Sequence, residues 1–292
     1  MGKEFDNNLQ HSISTENSLS EFSHIKIGGK IEYLFAPKSL NELASLIEDA
    51  FKARLKIVPI GGASNVLFGN IRKRVIILDK NLPQACDVNG NEVVVSSNYE
   101  ISKFIDKMKG DTLGGLEFLS GIPAHIGGAV SMNAGAFGKE ISNYIQSVEV
   151  IDEEGNIQNF HRDKLKFRYR RSSIKGFITK VHFILEPKPK EEIETEVAKI
   201  MKLRKYKHPY DYPSLGSTFK NPDDMSAASL IEECGLKGKQ QGDAQISEKH
   251  ANFIVNKGNA TFDDVIYLIN LIQAEIYKKK NILLNLEIKV LN

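Results

Sequence analysis

The amino-acid sequence predicts an α+β fold built in two parts. Its 292 residues are enough for two domains of about 100–200 residues each. Segments with strand composition alternate along the chain with segments whose apolar residues recur at helical spacing. The segment Pro187-Lys188-Pro189-Lys190 continues neither a helix nor a strand, because proline lacks a backbone N–H. We therefore predict a flexible lead-in over 1–20, a first domain over 21–188 and a second over 189–292.

The first domain is predicted to open with a strand over 31–36 and a helix that starts at Ser39. Ser39 and Glu42 have the spacing of a capping box. Apolar residues then recur on one helix face, at Leu43, Leu46, Ile47, Ala50 and Phe51. Further strands are expected at Lys56–Ile60, Val75–Leu78, Glu92–Ser96, Ser147–Ile151 and Phe177–Leu185, with a helix over about 99–109 and a hairpin turn over 152–156.

The second domain is predicted to be mostly helical, with one closing strand. Ile193, Val197 and Ile200 form one stripe of a helix that runs into Lys205. A second helix over about 226–234 ends at Gly235, a residue type favoured just after a helix. Thr261 and Asp264 cap a last long helix whose apolar face carries Val265, Leu268, Ile269, Ile272 and Ile276. Leu283–Leu291 is predicted to form the final strand.

Composition and charge exclude several classes of protein. The net charge of +2, from 39 basic and 37 acidic residues, argues against a nucleic-acid partner. The polar residues 1–21 lack the apolar core of a signal peptide, and no apolar run is long enough to insert in a membrane, so we expect a cytoplasmic protein. Cys86 and Cys234 lie far apart without companion ligands, so neither a disulfide framework nor a metal site is expected.

The glycine-rich segment Gly121–Gly138 is the strongest functional signal in the chain. It holds five glycines and no acidic residue before Lys139. Glycine lets another surface approach the backbone, and bare amides without a nearby carboxylate suit a phosphate or pyrophosphate. The alternative is a buried packing segment that uses glycine only for close contact.

Six further motifs accompany this segment in a fixed order. They are Lys26–Gly29 (KIGG), Gly61–Asn65 (GGASN), Gly115–Pro123 (GLEFLSGIP), Phe167–Ser172 (FRYRRS), Pro213–Pro222 (PSLGSTFKNP), and Leu230–Gly238 followed by Lys249–Phe253 (KHANF). With Gly127–Ala136 they resemble the UDP-N-acetylenolpyruvoylglucosamine reductases, also called UDP-N-acetylmuramate dehydrogenases, from about residue 20 onward. Any one glycine motif is weak, whereas the ordered set is specific.

The resemblance implies a cofactor, two substrates and a fold. It implies bound FAD, NADPH as hydride source, and UDP-N-acetylglucosamine enolpyruvate as the acceptor that becomes UDP-N-acetylmuramate, a peptidoglycan precursor. It places FAD on a first domain of the vanillyl-alcohol-oxidase/PCMH type, followed by a smaller α+β substrate-binding domain. The predicted cofactor-binding residues come from the two glycine motifs and the segment after them: Gly61, Gly62, Ala63, Ser64, Asn65, Gly121, Ile122, Pro123, Gly127, Gly128, Asn133 and Gly135.

Three residues match the family's catalytic positions. Ser217 lies at the position of the family's proton donor. A serine shortly after Pro213 is equally consistent with a turn residue. Arg170 matches an arginine whose fork suits a carboxylate that gains charge. Glu287 matches a C-terminal glutamate that either hydrogen-bonds the substrate carboxylate or orients the serine; otherwise it is the polar face of an edge strand.

Five residues are candidates for binding the UDP-sugar. Arg204 and Lys207 project to one side of a helix end and could meet a diphosphate, or they form an ordinary basic helix terminus. The others are Asn221, Lys237 and His250. The expected partners are the two substrates, with no nucleic acid and no membrane insertion, and we expect a monomer.

The chain departs from the family pattern at identifiable places. Ala63 and Ala124 replace common glycines, and His24 and His125 stand where smaller or hydroxyl residues are usual. Each adds a Cβ atom or a ring beside the expected pyrophosphate, so we expect these side chains to crowd FAD. Lys289 replaces a common arginine. The interval from Arg170 to Ser217 is too short for the tyrosine loop of one family branch, which indicates the shorter branch.

Two alternative functions remain at this point. One is an FAD-dependent alcohol or sugar oxidase of the same fold, for which His24 and His125 are the plausible covalent tethers. It leaves Ser217, Arg170 and Glu287 unexplained. The other is a flavin- or UDP-sugar-binding paralogue without turnover, against which the intact trio of residues argues.

Overall fold

The structure is a computed structural model that describes residues 18–223 and 225–292. The described chain forms two compact units that are interleaved in sequence. The first contains Glu32–Gly62 and Lys73–Lys202. The second contains 18–31, Ala63–Arg72 and Leu203–Asn292. These units divide the chain differently from the predicted domains, whose bounds stay a prediction.

Four helices begin in the first unit: α1 Leu40–Lys52, α2 Ile101–Gly110, α3 Ile126–Ser131 and α4 Lys190–Lys207. The predicted start of α1 is confirmed, since the Ser39 hydroxyl accepts from the Glu42 N–H at 3.1 Å. The Glu42 carboxylate accepts from the Lys38 N–H instead of Ser39, at 2.7 Å. The predicted capping box is therefore only half formed, with the second bond shifted by one residue.

A five-stranded antiparallel sheet forms the larger core of the first unit. Its strands, in spatial order, are Ile157–His161, Ile145–Ile151, Phe177–Ile184, Glu92–Ser96 and Cys86–Asn89. The buried side chains of its strands pack on α2 and α3 through Val95, Phe104, Ile126, Val148 and Phe183. The edge strand Ile157–His161 was not predicted, because all five of its residues are exposed and no apolar periodicity marks it.

A smaller sheet and three short strand pairs complete the first unit. The smaller sheet orders Ile31–Phe35, Ile71–Leu78 and Lys56–Ile60, and the last two strands run parallel. The strand pairs are Phe167–Arg168 with Arg171–Ser172, Gly135–Ala136 with Lys139–Glu140, and Leu113–Gly114 with Glu186–Pro187. Single 3-10 turns lie at Glu117–Leu119, Ile141–Asn143 and Arg162–Lys164.

The proline-flanked segment around Lys188 is fixed to the first unit by charge. The Lys188 ammonium bonds the carboxylates of Glu117, at 3.0 Å, and Glu196, at 2.5 Å. Glu117 is only 2% exposed and its second oxygen accepts from the Gly115 N–H at 2.8 Å. These contacts hold Gly115–Leu119, the segment that leads into the glycine-rich motif.

The second unit combines a four-stranded antiparallel sheet with two helices. The strands, in spatial order, are Ser214–Ser217, Phe253–Asn256, Ala244–Ile246 and Gln240–Gln241. The helices are α5 Ala227–Glu233 and α6 Phe262–Lys280, and the predicted capping box of Thr261 and Asp264 is fully formed. Val66–Phe68 pairs in parallel with Lys289–Leu291.

The predicted closing strand over Leu283–Leu291 is wrong for most of its length. Only Lys289–Leu291 is a strand, and Leu286 makes a single bridge to Phe219. Glu287 lies at a bend and not on an edge strand. The alternating apolar residues lie in an irregular segment, and two of them, Leu284 and Ile288, are buried in the core of the second unit.

The lead-in predicted over 1–20 falls mostly outside the described residues. Its described end enters a 3-10 turn, Leu19–Glu21, in which Leu19 is fully buried. In the described part of the chain, no helix has the length and apolar character needed to cross a membrane.

Candidate functional site

The two glycine motifs that the sequence singled out lie against each other in the first unit. A Cβ atom at Gly62 would come within 3.1 Å of the Pro123 carbonyl oxygen. One at Gly61 would come within 3.3 Å of the His125 Cβ. The close approach favours glycine at both positions. Gly61, Gly62 and the run from Gly121 to His125 therefore form one surface, which we call the glycine cradle.

Free backbone donors lie in this cradle and in the first turn of α3, which follows it. Among the described residues, the N–H groups of Gly62, Gly121 and Gly128 donate to no acceptor. A Cβ at Gly128 would meet nothing within 4 Å, so open space lies beside it. Bare amides fit the phosphates of a dinucleotide cofactor. The residues present are thus compatible with FAD.

Glycine also serves packing within the same segment. A Cβ at Gly127 would lie 2.8 Å from the Ser97 Cβ, and the Gly127 N–H donates to the Ser97 carbonyl at 2.7 Å. Ile126 on α3 is fully buried. The alternative role in close packing is therefore observed at Gly127, and phosphate binding by the other glycines stays a prediction. The predicted cofactor contacts of Ile122, Pro123 and Gly127 stay predictions.

A buried acid lies beneath the cradle. Asp79 follows the strand Ile71–Leu78 and is 5% exposed. Both of its carboxylate oxygens bond His125 Nδ1, at 2.9 and 3.0 Å. Burial raises the pKa of Asp79, with the bond to His125 opposing the shift. Burial also lowers the pKa of His125, but its bond and attraction to Asp79 outweigh this and the pKa is raised overall.

Asn133 ties the glycine-rich segment to the arginine motif. It is fully buried, and its amide donates to the Glu140 carboxylate at 2.7 Å and the Arg168 carbonyl at 3.1 Å. Its side-chain oxygen accepts from the Ser142 N–H at 3.3 Å. These bonds give Asn133 a structural role, and its predicted contact with the cofactor stays a prediction.

Gly135 makes room for Arg170. Arg170 Nη2 donates to the Gly135 carbonyl at 2.7 Å, and a Cβ at Gly135 would lie 3.0 Å from Nη1. Arg170 itself has a φ of 52°, the left-handed region that L-residues rarely adopt. Backbone strain of this kind concentrates at functional sites. The structure thus gives Gly135 a role in placing the arginine that the sequence predicted as catalytic.

In the second unit, backbone hydrogen bonds bring Ser217, Glu287 and Asn65 together. The N–H of Glu287 donates to the Thr218 carbonyl at 2.9 Å, next to Ser217. Asn65 Nδ2 donates to the Glu287 carbonyl at 3.2 Å. Lys289 N–H in turn donates to the Asn65 carbonyl at 2.9 Å. The network thus joins Glu287 and Asn65, 222 positions apart in the sequence, to Thr218, the residue that follows Ser217.

Ser217 is half-buried and preceded by Gly216, whose φ of 75° requires glycine. A Cβ at Gly216 would meet nothing within 4 Å, so the strand end faces open space. Asn252 holds this strand from behind, since its amide bonds both the N–H and the carbonyl of Phe219 at 3.0 and 2.8 Å. Neither Asn252 nor Asp79 was predicted as a site residue. Asn252 lies in the KHANF motif, so the family resemblance could have indicated it. The only sequence feature that marks Asp79 is that it is an acidic residue directly after an apolar strand.

All five predicted substrate residues lie in the second unit, and charge or ring contacts link four of them to His208 and His250. Lys207 and Lys237 both lower the pKa of His250, after the larger effect of burial. The His250 ring packs edge-on against His208 at 5.6 Å, and His208 has its pKa lowered to about 4 by burial and by Arg204. Both imidazoles are therefore neutral near pH 7. His250 Nδ1 is buried without a partner among the described residues.

The remaining candidate, Asn221, lies before α5. Its side-chain oxygen accepts from the Ala227 N–H at 3.0 Å. Lys237 is paired with Glu232 at 2.9 Å, and Lys207 is exposed at the end of α4. The predicted roles of all five residues in binding substrate stay predictions.

Ala63 provides a test of the steric expectation at the Gly61–Asn65 motif. It is buried and has a φ of 47°, a conformation that costs an L-residue about 1–2 kcal/mol. We expect Ala63→Gly to change stability little, because relief of strain offsets the lost methyl burial. Ala63→Val should destabilise by about 1–3 kcal/mol, because a β-branched residue resists this φ. Thermal unfolding measures both.

The same alanine bears on cofactor affinity. Ala63→Gly and Ala124→Gly should bind FAD as tightly as the parent protein or more tightly, since each restores a bare backbone. Titration of apoprotein with FAD gives the dissociation constants. Weaker binding in both variants contradicts the expectation that these methyl groups crowd the phosphates.

Comparison with known proteins matches both parts of the chain. The family model described as UDP-N-acetylenolpyruvoylglucosamine reductase, C-terminal domain, matches residues 208–291. The model described as FAD binding domain matches residues 31–161. Together they confirm the predicted α+β fold, with an FAD-binding domain of the PCMH type followed by a second domain.

Full-length relatives agree with these matches. The UDP-N-acetylenolpyruvoylglucosamine reductase of Clostridium kluyveri is 38% identical over 284 residues, 96% of this chain and 93% of the relative. That of Fusobacterium nucleatum is 39% identical over 280 residues, 94% and 98% of the two chains. The crystal structure of the Thermus caldophilus reductase superposes with a TM-score of 0.81 at 32% identity, covering 94% of this chain and 98% of that one.

Proposed function

The chain belongs to the UDP-N-acetylenolpyruvoylglucosamine reductase family, and we propose that it reduces UDP-N-acetylglucosamine enolpyruvate to UDP-N-acetylmuramate with NADPH. The product is a precursor of peptidoglycan. The observation that supports the proposal within the structure is the hydrogen-bond network that joins Glu287 and Asn65 to Thr218, the residue that follows Ser217. The expected monomeric state and cytoplasmic location stay predictions.

The glycine cradle is the proposed site of the FAD phosphates. Its free amides at Gly62 and Gly121, with that of Gly128 in the first turn of α3, suit two phosphates. When bound, FAD accepts hydride from NADPH and passes it to the enolpyruvyl group. The protein must then position that group, stabilise the charge it gains and supply one proton.

Ser217 is the proposed proton donor. Hydride addition to the enolpyruvyl group leaves a carbanion next to the carboxylate, and a carbanion is basic enough to take a proton from an oriented hydroxyl. Ser217 ends its strand and is only half-buried, so its hydroxyl can meet a substrate. The pairing of Ser217 with Phe253 and the bonds from Asn252 fix the strand that carries it.

Arg170 and Glu287 are proposed to handle the substrate carboxylate. As the carbanion forms, its negative charge spreads onto the carboxylate oxygens, and a guanidinium fork stabilises that charge. The bond to Gly135 fixes the orientation of Arg170 before substrate arrives. Glu287 either hydrogen-bonds the carboxylate as a neutral acid or orients Ser217.

The basic residues of the second unit are proposed to bind the UDP-sugar. Arg204, Lys207 and Lys237 add positive charge around His250, which suits a diphosphate. The buried, unpartnered Nδ1 of His250 supports a role in hydrogen-bonding the sugar or base. Asn221 completes this proposed set.

A covalently flavinylated oxidase is the alternative that an experiment can separate most simply. Both histidines that could tether FAD are already hydrogen-bonded through Nδ1: His24 to the Ser214 carbonyl at 2.8 Å, and His125 to Asp79. We expect the protein to purify yellow and to release intact FAD on acid or heat treatment. Flavin that stays with the denatured polypeptide contradicts the reductase assignment.

The reaction itself is tested by NADPH oxidation followed at 340 nm. We expect rapid oxidation that depends on the enolpyruvyl substrate and forms UDP-N-acetylmuramate in equal amount. The non-catalytic paralogue predicts bound FAD with no such turnover. Oxidation of NADPH at the same rate without the substrate also argues against the proposal.

A further inference from the structure

We propose that His125, held by Asp79 as an imidazolium, binds the diphosphate of the cofactor through its Nε2 N–H. The inference rests on the proposed function, since it takes FAD as the ligand of the glycine cradle. It reverses the expectation that a ring at position 125 only obstructs the phosphates.

Asp79 lies where its negative charge opposes the binding of a diphosphate, and His125 can neutralise that charge. A Cβ at Gly61 would lie 3.2 Å from Asp79 Oδ2, so the acid lies directly beneath the cradle. A buried carboxylate at this place repels a diphosphate. His125 Nδ1 contacts both carboxylate oxygens, so a protonated ring neutralises the acid where the ligand would approach. The pair then presents no net negative charge to the phosphates.

The geometry leaves one donor of the ring available. Nδ1 is committed to Asp79, whereas Nε2 has no hydrogen-bond partner among the described residues. Nε2 is not fully buried, so solvent reaches it. The ring belongs to the cradle itself, since its Cβ and Nδ1 lie 3.3 and 3.4 Å from the Cβ position of Gly61. A protonated imidazole therefore offers the cradle a charged donor.

The other charges that face His125 largely cancel. Glu100, at the start of α2, bridges the backbone of His125 and raises its pKa. Lys103 lowers the pKa of His125, but it is bound to Glu100 at 2.8 Å. Asp79 thus dominates the charge environment of the ring. Its removal should leave the imidazole easier to deprotonate.

The inference predicts a pH-dependent affinity with a definite sign. The protonated ring is the binding form, so FAD should bind most tightly below the pKa of His125 in the apoprotein. Affinity should fall as the pH rises through that pKa, and by no more than about tenfold per pH unit because one proton is involved. Binding of FAD should in return raise the pKa of His125.

The experiment titrates apoprotein with FAD and with riboflavin between pH 5.5 and 9. Flavin fluorescence gives the dissociation constants, and the histidine NMR signal of the apoprotein gives the pKa of His125. We expect the FAD dissociation constant to rise through that pKa, while the affinity for riboflavin, which lacks the diphosphate, stays flat. His125→Asn should weaken FAD binding about tenfold or more at low pH and remove the pH dependence. His161→Asn, at an exposed histidine, is the matched control.

A second variant separates charge from folding. His125→Asn leaves Asp79 without its cation and can therefore unfold the protein, so Asp79→Asn/His125→Asn is made beside it. This double variant should bind FAD more tightly than His125→Asn and without pH dependence, because the repelling carboxylate is gone. Asp79→Asn alone should keep the pH dependence but shift its midpoint to lower pH.

The outcomes distinguish this inference from the proposed function. A parent protein that binds no FAD at any pH overturns both. Tight FAD binding that is flat with pH and equal in His125→Asn overturns only the role of His125. Equal weakening of FAD and riboflavin in His125→Asn also overturns it, since the ring then supports the flavin and not the diphosphate.

Discussion

Ser217→Ala should leave the reduction of bound flavin by NADPH near the parent rate and slow the re-oxidation of that flavin by the enolpyruvyl substrate. The hydroxyl takes no part in the first hydride transfer, whereas the second half-reaction needs its proton. Loss of a general acid typically costs about 10²–10⁴-fold in rate. Stopped-flow absorbance of the flavin measures both steps in one preparation.

A thiol at the same position is the informative companion. Ser217→Cys should recover part of the loss, because a thiol is a stronger acid of similar shape. The variant also keeps the strand pairing with Phe253, which does not involve the side chain. If Ser217→Ala slows both half-reactions equally, or slows neither, Ser217 is a structural residue and the proton comes from elsewhere.

Arg170→Lys should lower the rate of flavin re-oxidation by about 10²–10³-fold, the range for removing one donor to a developing oxyanion. Lysine keeps the charge and the backbone conformation but loses the planar fork and the bond to the Gly135 carbonyl. The rate of flavin reduction by NADPH should change little. The same stopped-flow experiment separates the two effects.

The neighbouring arginines are matched controls for this prediction. Arg168 and Arg171 are exposed and flank Arg170 in the same motif, so Arg168→Lys and Arg171→Lys should stay within roughly threefold of the parent. An equal loss in all three variants shows that the motif acts by its total charge. A loss in Arg170→Lys that matches a large fall in thermal stability points to misfolding instead of a lost donor.

Features governed by local interactions were predictable from the sequence. Ser39 and Thr261 predict where α1 and α6 begin, because each side chain accepts a hydrogen bond from the N–H group three residues later. The glycine motifs were recognisable because close approach restricts the residue type wherever it occurs. The partners that these glycines contact could not be predicted from either segment alone. One example is the close approach of Gly62 to Pro123.

Features governed by distant contacts were not predictable in the same way. Asp79 becomes a site residue only because the fold buries it beside His125, 46 positions later. Glu287 lies in a segment with the alternation of a strand, but it forms a bend, in which its N–H donates to Thr218 and its carbonyl accepts from Asn65. Asn133 resembles a ligand contact in sequence, and its burial between Glu140 and Arg168 gives it a structural role. The candidate trio was found from the resemblance to a family and not from periodicity.

The parallel pairing of Val66–Phe68 with Lys289–Leu291 has a consequence for biosynthesis. Residues 66–68 leave the ribosome more than 200 residues before their partners, which at about 5–20 residues per second is roughly 10–45 s. During this interval the Asn65 carbonyl lacks its bond from Lys289. The second unit therefore matures late in translation, and a nascent chain that stops before residue 289 exposes Leu67, which is fully buried in the finished protein, to chaperones and proteases.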